Sequence, residues 1–395
     1  MNFFKEAMTI KEELVSIRRK LHENPELGME EFETSKFIKR FLKSEGIEFK
    51  EYAITGVCGI IKGTKDSNIK GKTIALRADM DGLPLEDKKN CSYSSKVKGK
   101  MHGCGHDAHT SILLGAAKIL NNKKHLFNGN IKLIFEPAEE TIGGSQIMIE
   151  EGILENPKVD SIAGLHVEET LECGKVMVKE EYVNAASNPF KIKIIGYGGH
   201  GAYPHLTIDP IVIASHLVIA LQSIISREIN SLNPAVITVG SINGGTAQNI
   251  IPEEVEVKGI IRTLNKEDRA FAVKRLEEIT KGITETFRGK ASIYIEESYP
   301  SLYNNKNMVK LLKDISKNVI KSEDFIEQKH SKLGVESFAY FAEKVPGVFY
   351  FLGSGNKKKN IIHPAHSNLF DIDEKCLPIG VALQCEIALE YLTRE

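Results

Sequence analysis

The chain has 395 residues and carries 52 lysines and arginines against 53 aspartates and glutamates, a formal net charge of −1. Hydrophobic residues make up 42% and charged residues 27%, the balance of a globular protein. So neutral a chain lacks the bulk field that would hold nucleic acid or a membrane surface. The length exceeds what one ordinary core organises, so two domains are expected.

The start, Met1 to Glu6, lacks the basic-then-apolar layout of a secretory signal, and no apolar run is read as reaching transmembrane length. The cytoplasm is the expected location. Residues 10–21 read as an amphipathic helix with Leu14, Ile17 and Leu21 on one face. Pro25 and Gly28 break it, and a second helix is expected over 31–45. Residues 57–61 and 73–77 read as strands. The second leads into Arg77-Ala78-Asp79-Met80-Asp81, two acids just past an apolar strand, as at the carboxyl edge of a parallel sheet.

Met101 to His109 holds three histidines, Cys104 and Asp107, with Gly103 and Gly105 between them. Thiolate and imidazole are the commonest protein ligands for zinc-like metals. The simpler alternative is a glycine-rich turn with surface histidines. Ile112, Leu113, Ala116, Ala117 and Leu120 follow at helical spacing, so a polar loop is expected to run into a buried helix over 110–120. The six cysteines (58, 91, 104, 173, 376 and 385) show no close pairing pattern and read as reduced thiols. Only Cys104 has a polar, histidine-rich setting.

Residues 131–135 form another apolar strand, followed by Glu136-Pro137-Ala138-Glu139-Glu140. Residues 161–165 repeat the layout and deliver His166. Three buried-type strands thus each end in a potential ligand or base, with helices between them, the pattern of a doubly wound, mostly parallel α/β sheet.

The pattern changes near Asn188. Strand 190–197, helix 209–229, strands 235–242 and 255–263, helix 266–287 and strand 291–296 follow in that order, a split βαβ unit of ferredoxin-like type. The expected division is 1–187 as the first part of the main domain, 188–297 as an inserted α+β domain, and 298–395 as the second part. After Pro300 the α/β pattern resumes, with helix 308–319, strand 347–352 and helix 377–391.

Cys104, His106, Glu140, His166 and one late histidine gather as donors. Five exceed the need of one catalytic zinc, which takes three protein ligands and water. Two metals sharing a ligand fit the count better. Each residue also has a structural explanation: a hydrogen-bonded strand-end histidine, a solvated Glu-Glu pair at a helix start, an Asp79 that caps a turn.

Six ordered motifs carry a resemblance. They are Arg77 to Pro84, Met101 to Asp107, Pro137-Ala138-Glu139-Glu140, Gly164-Leu165-His166, Gly198-Gly199-His200-Gly201-Ala202 and Ala365-His366-Ser367. The series, spread over essentially the whole chain, resembles the aminoacylase/carboxypeptidase dinuclear metallohydrolases. It is most similar to the branch of hippurate hydrolase, indoleacetyl–amino acid conjugate hydrolases and N-acetyldiaminopimelate deacetylase.

The resemblance implies Cys104 as bridging ligand, with His106, Glu140, His166 and His366 completing two divalent-metal sites for zinc, manganese, cobalt or nickel. His366 is preferred to His363 because His366-Ser367, with Phe370, Asp371 and Asp373 after it, matches the family pattern. Asp81 is implied as the carboxylate that orients a metal-binding imidazole. Asp79 and Asp107 either share that duty or only hydrogen-bond the fold. Glu139 is implied as general base. The inserted domain is implied as a lid and dimerisation domain: His200 reaches a partner subunit's site to stabilise the oxyanion, and Asn249 and Arg262 bind substrate. His205 is left between site and surface.

Two departures stand out. Much of the branch has Gln at Glu136, and Gly-Ser-Glu-Asp-Phe at Gly334-Val335-Glu336-Ser337-Phe338. The expected function is hydrolysis of N-acyl amino acids by a cytoplasmic homodimer or larger homo-oligomer, with no nucleic-acid or membrane partner. The alternatives are a dipeptidase or aminopeptidase of the same family, an inactive metal-binding homologue, and a structural zinc protein.

Overall fold

The computed structural model describes residues 2–66 and 71–394. The chain forms two compact units, one of residues 1–181, 303–330 and 337–395, the other of residues 182–302 and 331–336.

The first unit is built on an eight-stranded sheet. Its centre is four parallel strands in the order Asn130–Glu136, Thr73–Asp79, Ser161–Glu172, Gly347–Gly355. Gly56–Lys62 and then Glu48–Tyr52 extend one side, each antiparallel to its neighbour. Val176–Val178 extends the other, antiparallel to Gly347–Gly355, and Phe325–Glu327 lies parallel beyond it.

Every residue of Thr73–Asp79 and Gly347–Gly355 is buried, as expected of strands covered on both faces. Successive side chains show the two covers. Ala163, Leu165 and Val167 join the core built with the helices His106–Asn122 and Cys376–Thr393. Gly164 faces the other way, under the helix Phe338–Lys344, where an added Cβ would lie 2.8 Å from the Phe338 ring. Phe349 shares that face, its ring 5.2 Å from that of Phe338. The sheet is therefore doubly wound, as its sequence pattern implies. The helices Phe3–Thr9, Gly144–Glu150 and Phe338–Lys344 have seven residues each, too few for a 3.6-residue period to show in sequence.

In the second unit the sheet order is Ala235–Asn243, Glu254–Thr263, Ala186–Ile195, Lys290–Ile295, all pairs antiparallel. Numbered along the chain this is 2-3-1-4, with the helices Pro210–Ser223 and Lys266–Thr286 in the crossovers, the ferredoxin-like arrangement. Phe190, Ile192 and Ile194 pack against Ile213, Leu217 and Leu276. The unit reaches beyond 188–297. Its first strand is already paired at Ala186 with Thr263, and the Ser187 amide donates to Tyr299.

Two helices, Pro210–Glu228 and Cys376–Thr393, are long and apolar enough to cross a membrane, contrary to the sequence reading. Isolated polar residues such as His216, Gln222 and Gln384 interrupt their apolar runs and mask them. In the fold Cys376–Thr393 is buried along most of its length, and Ile213, Leu217, Leu221 and Ile224 of the other helix pack into the second unit's core.

Candidate metal centre

The site lies towards the carboxyl ends of the parallel strands, where open α/β sheets place their ligands, with His166 still inside its strand. Two backbone features build it. Gly105 takes φ +94°, and a Cβ there would lie 2.3 Å from Val167 Cγ2, so only glycine fits. The helix consequently starts at His106, not at residue 110, and His106, Asp107 and His109 occupy its first turn instead of a loop. His166 also differs from expectation. The strand does not stop before it but continues to Glu172, held by pairing of His166 opposite Phe351 on the neighbouring strand. The Glu139-Glu140 pair lies in a turn, with helix resuming only at Gly144.

Two groups of donor atoms share one cysteine. In the first, Cys104, His106 and His166 offer Sγ and two ring nitrogens within 4.8 Å of one another. In the second, Cys104, Glu140 and His366 offer Sγ, a carboxylate oxygen and one ring nitrogen within the same distance. Cys104 Sγ and His166 Nε2 are 3.3 Å apart, and His366 Nε2 and Glu140 Oε1 are 3.1 Å apart. Two ligands on one tetrahedral zinc-like ion, at roughly 2.0–2.3 Å each, stand roughly 3.5 Å from one another. His106, Glu139 and Glu140 form a further group, and Asp79, His106 and His109 another.

The hydrogen bonds set which ring nitrogen faces the cluster. His106 Nδ1 donates to Asp81 Oδ1 at 2.9 Å, which turns Nε2 inward, buried without a hydrogen-bond partner. His166 Nδ1 donates to the Val167 carbonyl at 2.6 Å, leaving its Nε2 lone pair towards Cys104. Burial pushes the His166 pKa down to about 3, so the ring is neutral. Burial and the Glu140 carboxylate push the Cys104 thiol well up, and a cation is what converts such a thiol to thiolate. A soft sulfur, inward imidazole lone pairs and a carboxylate fit a pair of transition-metal-type ions.

Asp79 is not among the metal-facing donors of the two cysteine groups. Its carboxylate accepts from Arg77 Nη1 at 2.7 Å and His109 Nδ1 at 2.5 Å. Burial opposes its charge, but His106, His109 and Arg77 hold it well below the usual range. His109 Nε2 accepts the Val167 amide at 2.8 Å, which fixes the Nδ1–H tautomer, and burial lowers its pKa. Asp107 is a structural anchor, accepting Arg18 Nε at 2.8 Å and His22 Nδ1 at 2.7 Å. Glu139 is nearly buried, with Oε1 accepting the Ser337 amide at 3.0 Å.

The match to known proteins is equally extended. Residues 75–390 match the model of peptidase family M20/M25/M40. The chain belongs to that family. It is 41% identical to an N-acetyl-L-cysteine deacetylase of Bacillus subtilis, over 93% of this chain and 86% of the relative. It is 40% identical to an IAA-amino acid hydrolase (ILR1-like 4) of Arabidopsis thaliana, over 96% and 86%. Among solved structures it is similar to a dinuclear metal-binding peptidase of the M20 family from Bacillus subtilis. That match has a TM-score of 0.83 and 31% identity, and covers 98% of this chain and 99% of that one. This M20 chain is thus a hydrolase-family member over most of its length.

The remaining predicted residues divide between the units. His200 and Asn249 meet in the second unit, where His200 pairs with Ile250 and the Gly201 amide donates to the Asn249 carbonyl at 2.8 Å. Arg262 lies eight positions along its strand from Glu254, roughly 26 Å at an ordinary rise, with Nη1 buried and unpartnered. The second unit by itself does not bring Arg262 to His200. His205 is exposed on the turn Pro204–Leu206. His363 joins no ligand group among the described residues.

Three contributors escaped the sequence reading. His109 is signalled only by its i,i+3 relation to His106 once the helix start is known. Arg77 is signalled by its charge within an apolar strand. Ser337 is signalled only as a departure from the branch pattern, with no role attached. The two departures from the branch pattern, Glu136 and Ser337, touch each other at 2.6 Å.

Proposed function

We propose that this M20 hydrolase uses two divalent metal ions to cleave N-acyl amino acids into a carboxylic acid and a free amino acid. The observation that carries the reading is Cys104 shared between two ligand groups, with Glu139 beside them. The names of the deacetylase and conjugate-hydrolase relatives support the substrate class.

Bound at the two groups, the ions would supply Lewis acidity, lowering the pKa of water and polarising the scissile carbonyl. Glu139 then takes the proton of the attacking water on its carboxylate and passes it to the departing amine nitrogen. Asp81 keeps His106 in the tautomer that presents Nε2. His109, its Nε2 occupied by the Val167 amide, stays neutral and braces Asp79. In this proposal Arg262 binds the substrate carboxylate bidentately, Asn249 orients the substrate, and His200 donates to the oxyanion.

His200, Asn249 and Arg262 belong to the inserted unit, which we propose acts as a lid and pairs with a second copy. Its helix exposes Ile211, Val212 and Ile219, and its sheet has an edge strand in Ala235–Asn243, which can pair with another chain. Six free thiols favour a reducing compartment, so the cytoplasm is the proposed location.

The test is a panel of N-acetyl, N-benzoyl and indoleacetyl amino acids and dipeptides, assayed with chelator-stripped protein and each of zinc, manganese, cobalt and nickel. Hydrolysis of N-acyl amino acids restored by metal, at two ions per chain, is expected. Full activity in metal-free protein overturns the mechanism, and cleavage confined to dipeptides makes the protein a peptidase.

A further inference from the structure

Ser337 stands where three buried groups meet. Its Oγ donates to Glu136 Oε1 at 2.6 Å and accepts from Arg77 Nη2 at 2.8 Å. Its backbone N–H donates to Glu139 Oε1 at 3.0 Å. Its carbonyl accepts from Ser145 Oγ at 3.0 Å. Glu136 also receives Arg77 Nε at 2.6 Å and the Ser145 amide at 2.8 Å. Arg77, Glu136 and Ser337 are all fully buried.

The chemistry of the three groups fixes every proton. Guanidinium only donates, carboxylate only accepts, and a hydroxyl has one proton to give. Ser337 must therefore accept from Arg77 and donate to Glu136. The hydroxyl is held from both sides, and with it the residue whose N–H aims at Glu139. A buried ion pair with all its hydrogen bonds made resists displacement, whereas a buried cation short of a partner is costly. Asp79 already holds Arg77 Nη1 at 2.7 Å, so the Glu136 charge is what holds the Nε and Ser337 side of this junction in place.

We propose that Arg77, Glu136 and Ser337 form a positioning device for Glu139, in which one carboxylate facing Arg77 locks Ser337 and, through its amide, the Glu139 side chain. The proposal rests on the reading of Glu139 as general base. It has a specific consequence. Arg77 reaches both sides of the 2.6 Å contact, so the carboxylate can sit on either side. With Gln at 136 and Asp at 337, the guanidinium still faces a second carboxylate beside Asp79. The Gln NH2 then donates to the new carboxylate at 337, the reverse of the Ser337 bond, and the Ser145 amide, which shared Glu136 Oε1, takes another acceptor.

The experiment is a charge-exchange cycle on the metal-loaded full chain: Glu136→Gln, Ser337→Asp and the double variant, with kcat, KM, metal content and melting temperature measured for each. Each single change should lower kcat by about tenfold or more, since small misplacements of a reacting group cost that much. KM should stay within about threefold, and metal content should be unchanged. The double variant should recover kcat to within about threefold of wild type, a non-additivity that residues in contact produce.

Normal kcat in both single variants overturns the proposal. So does a double variant no better than the product of the singles, or a kcat loss that merely tracks metal loss. If the single variants do not fold, Ser337→Ala decides. It removes only the hydroxyl, so a several-fold fall in kcat at unchanged KM and metal content supports the device, and unchanged kcat rejects it. If wild type hydrolyses no N-acyl amino acid, the functional reading fails separately. The cycle is then read on melting temperature, where additive effects of the two substitutions reject the coupled cluster.

Discussion

Asp81 and His106 are joined by a 2.9 Å hydrogen bond between Oδ1 and Nδ1, and the other oxygen of Asp81 accepts the Glu140 amide at 3.1 Å. One carboxylate therefore orients a member of each donor group: the imidazole that pairs with Cys104 and His166, and the backbone of the residue that pairs with Cys104 and His366. Its two acceptors face two donors, and an amide can satisfy only one of them. Asp81→Asn should weaken metal binding by about 10–100-fold, the usual effect of losing a partner behind a ligand. Competition with a chromophoric chelator measures it, and wild-type affinity in this variant would remove Asp81 from the assignment.

Glu139→Gln keeps the shape of the side chain, and its amide oxygen still accepts the Ser337 amide, but it cannot take a proton. Turnover should fall by at least about 10²-fold, the scale of general-base catalysis, with metal content unchanged because Glu140 remains. Steady-state kinetics with parallel metal analysis distinguishes this from loss of a ligand. Near-normal turnover would show that another group is the base.

Glu31 gives a pH signature in stability. It is fully buried, accepting the Thr55 hydroxyl at 2.7 Å and the Ala138 amide at 2.8 Å, and burial raises its pKa to about 7. A carboxyl group whose folded pKa lies above its unfolded value near 4.5 favours the fold while protonated. Its contribution is complete below about pH 4.5 and is lost as pH rises through about 7, roughly 3 kcal/mol in all. Glu31→Gln mimics the protonated form, so urea unfolding between pH 5 and 8 should show a flatter stability profile than wild type. Parallel profiles would place the titration elsewhere.

The inserted unit offers a test of catalysis between chains. His200→Ala should lower turnover by about 10²–10³-fold, the cost of a lost oxyanion donor. If His200 acts on the site of a second copy, mixing His200→Ala with Glu139→Gln chains creates heterodimers with one doubly defective site and one intact site. Activity should then reappear after subunit exchange. Continued inactivity with exchange demonstrated by mass spectrometry would assign His200 to its own chain.

Much of this architecture was legible in the residues because it depends on local period. The ferredoxin-like order of the inserted unit followed from six elements whose hydrophobic repeats switch between 2 and 3.6, and the strands at 73, 131 and 347 are apolar runs buried on both faces. The candidate ligands were legible because Cys104 and His106 lie two residues apart, and because Glu140, His166 and His366 each follow an identifiable motif. Boundaries were less so. The helix at His106 starts four residues before the expected start at 110, since Gly105 can take φ +94° where Val167 leaves no room for a Cβ.

The sequence by itself determined the parallel sheet and the family, and named the candidate donors. Only the tertiary structure decided that Asp79 serves His109 and Arg77, that Asp107 anchors Arg18 and His22, and that Glu136 and Ser337 meet beside Glu139. The reason is physical. Apolar periodicity and metal-ligand chemistry are written in neighbouring residues. By contrast, a buried hydrogen bond such as Arg77 to Ser337, 260 positions apart in the chain, is chosen by whichever distant group the packed fold delivers to an acceptor that burial will not leave unpaired.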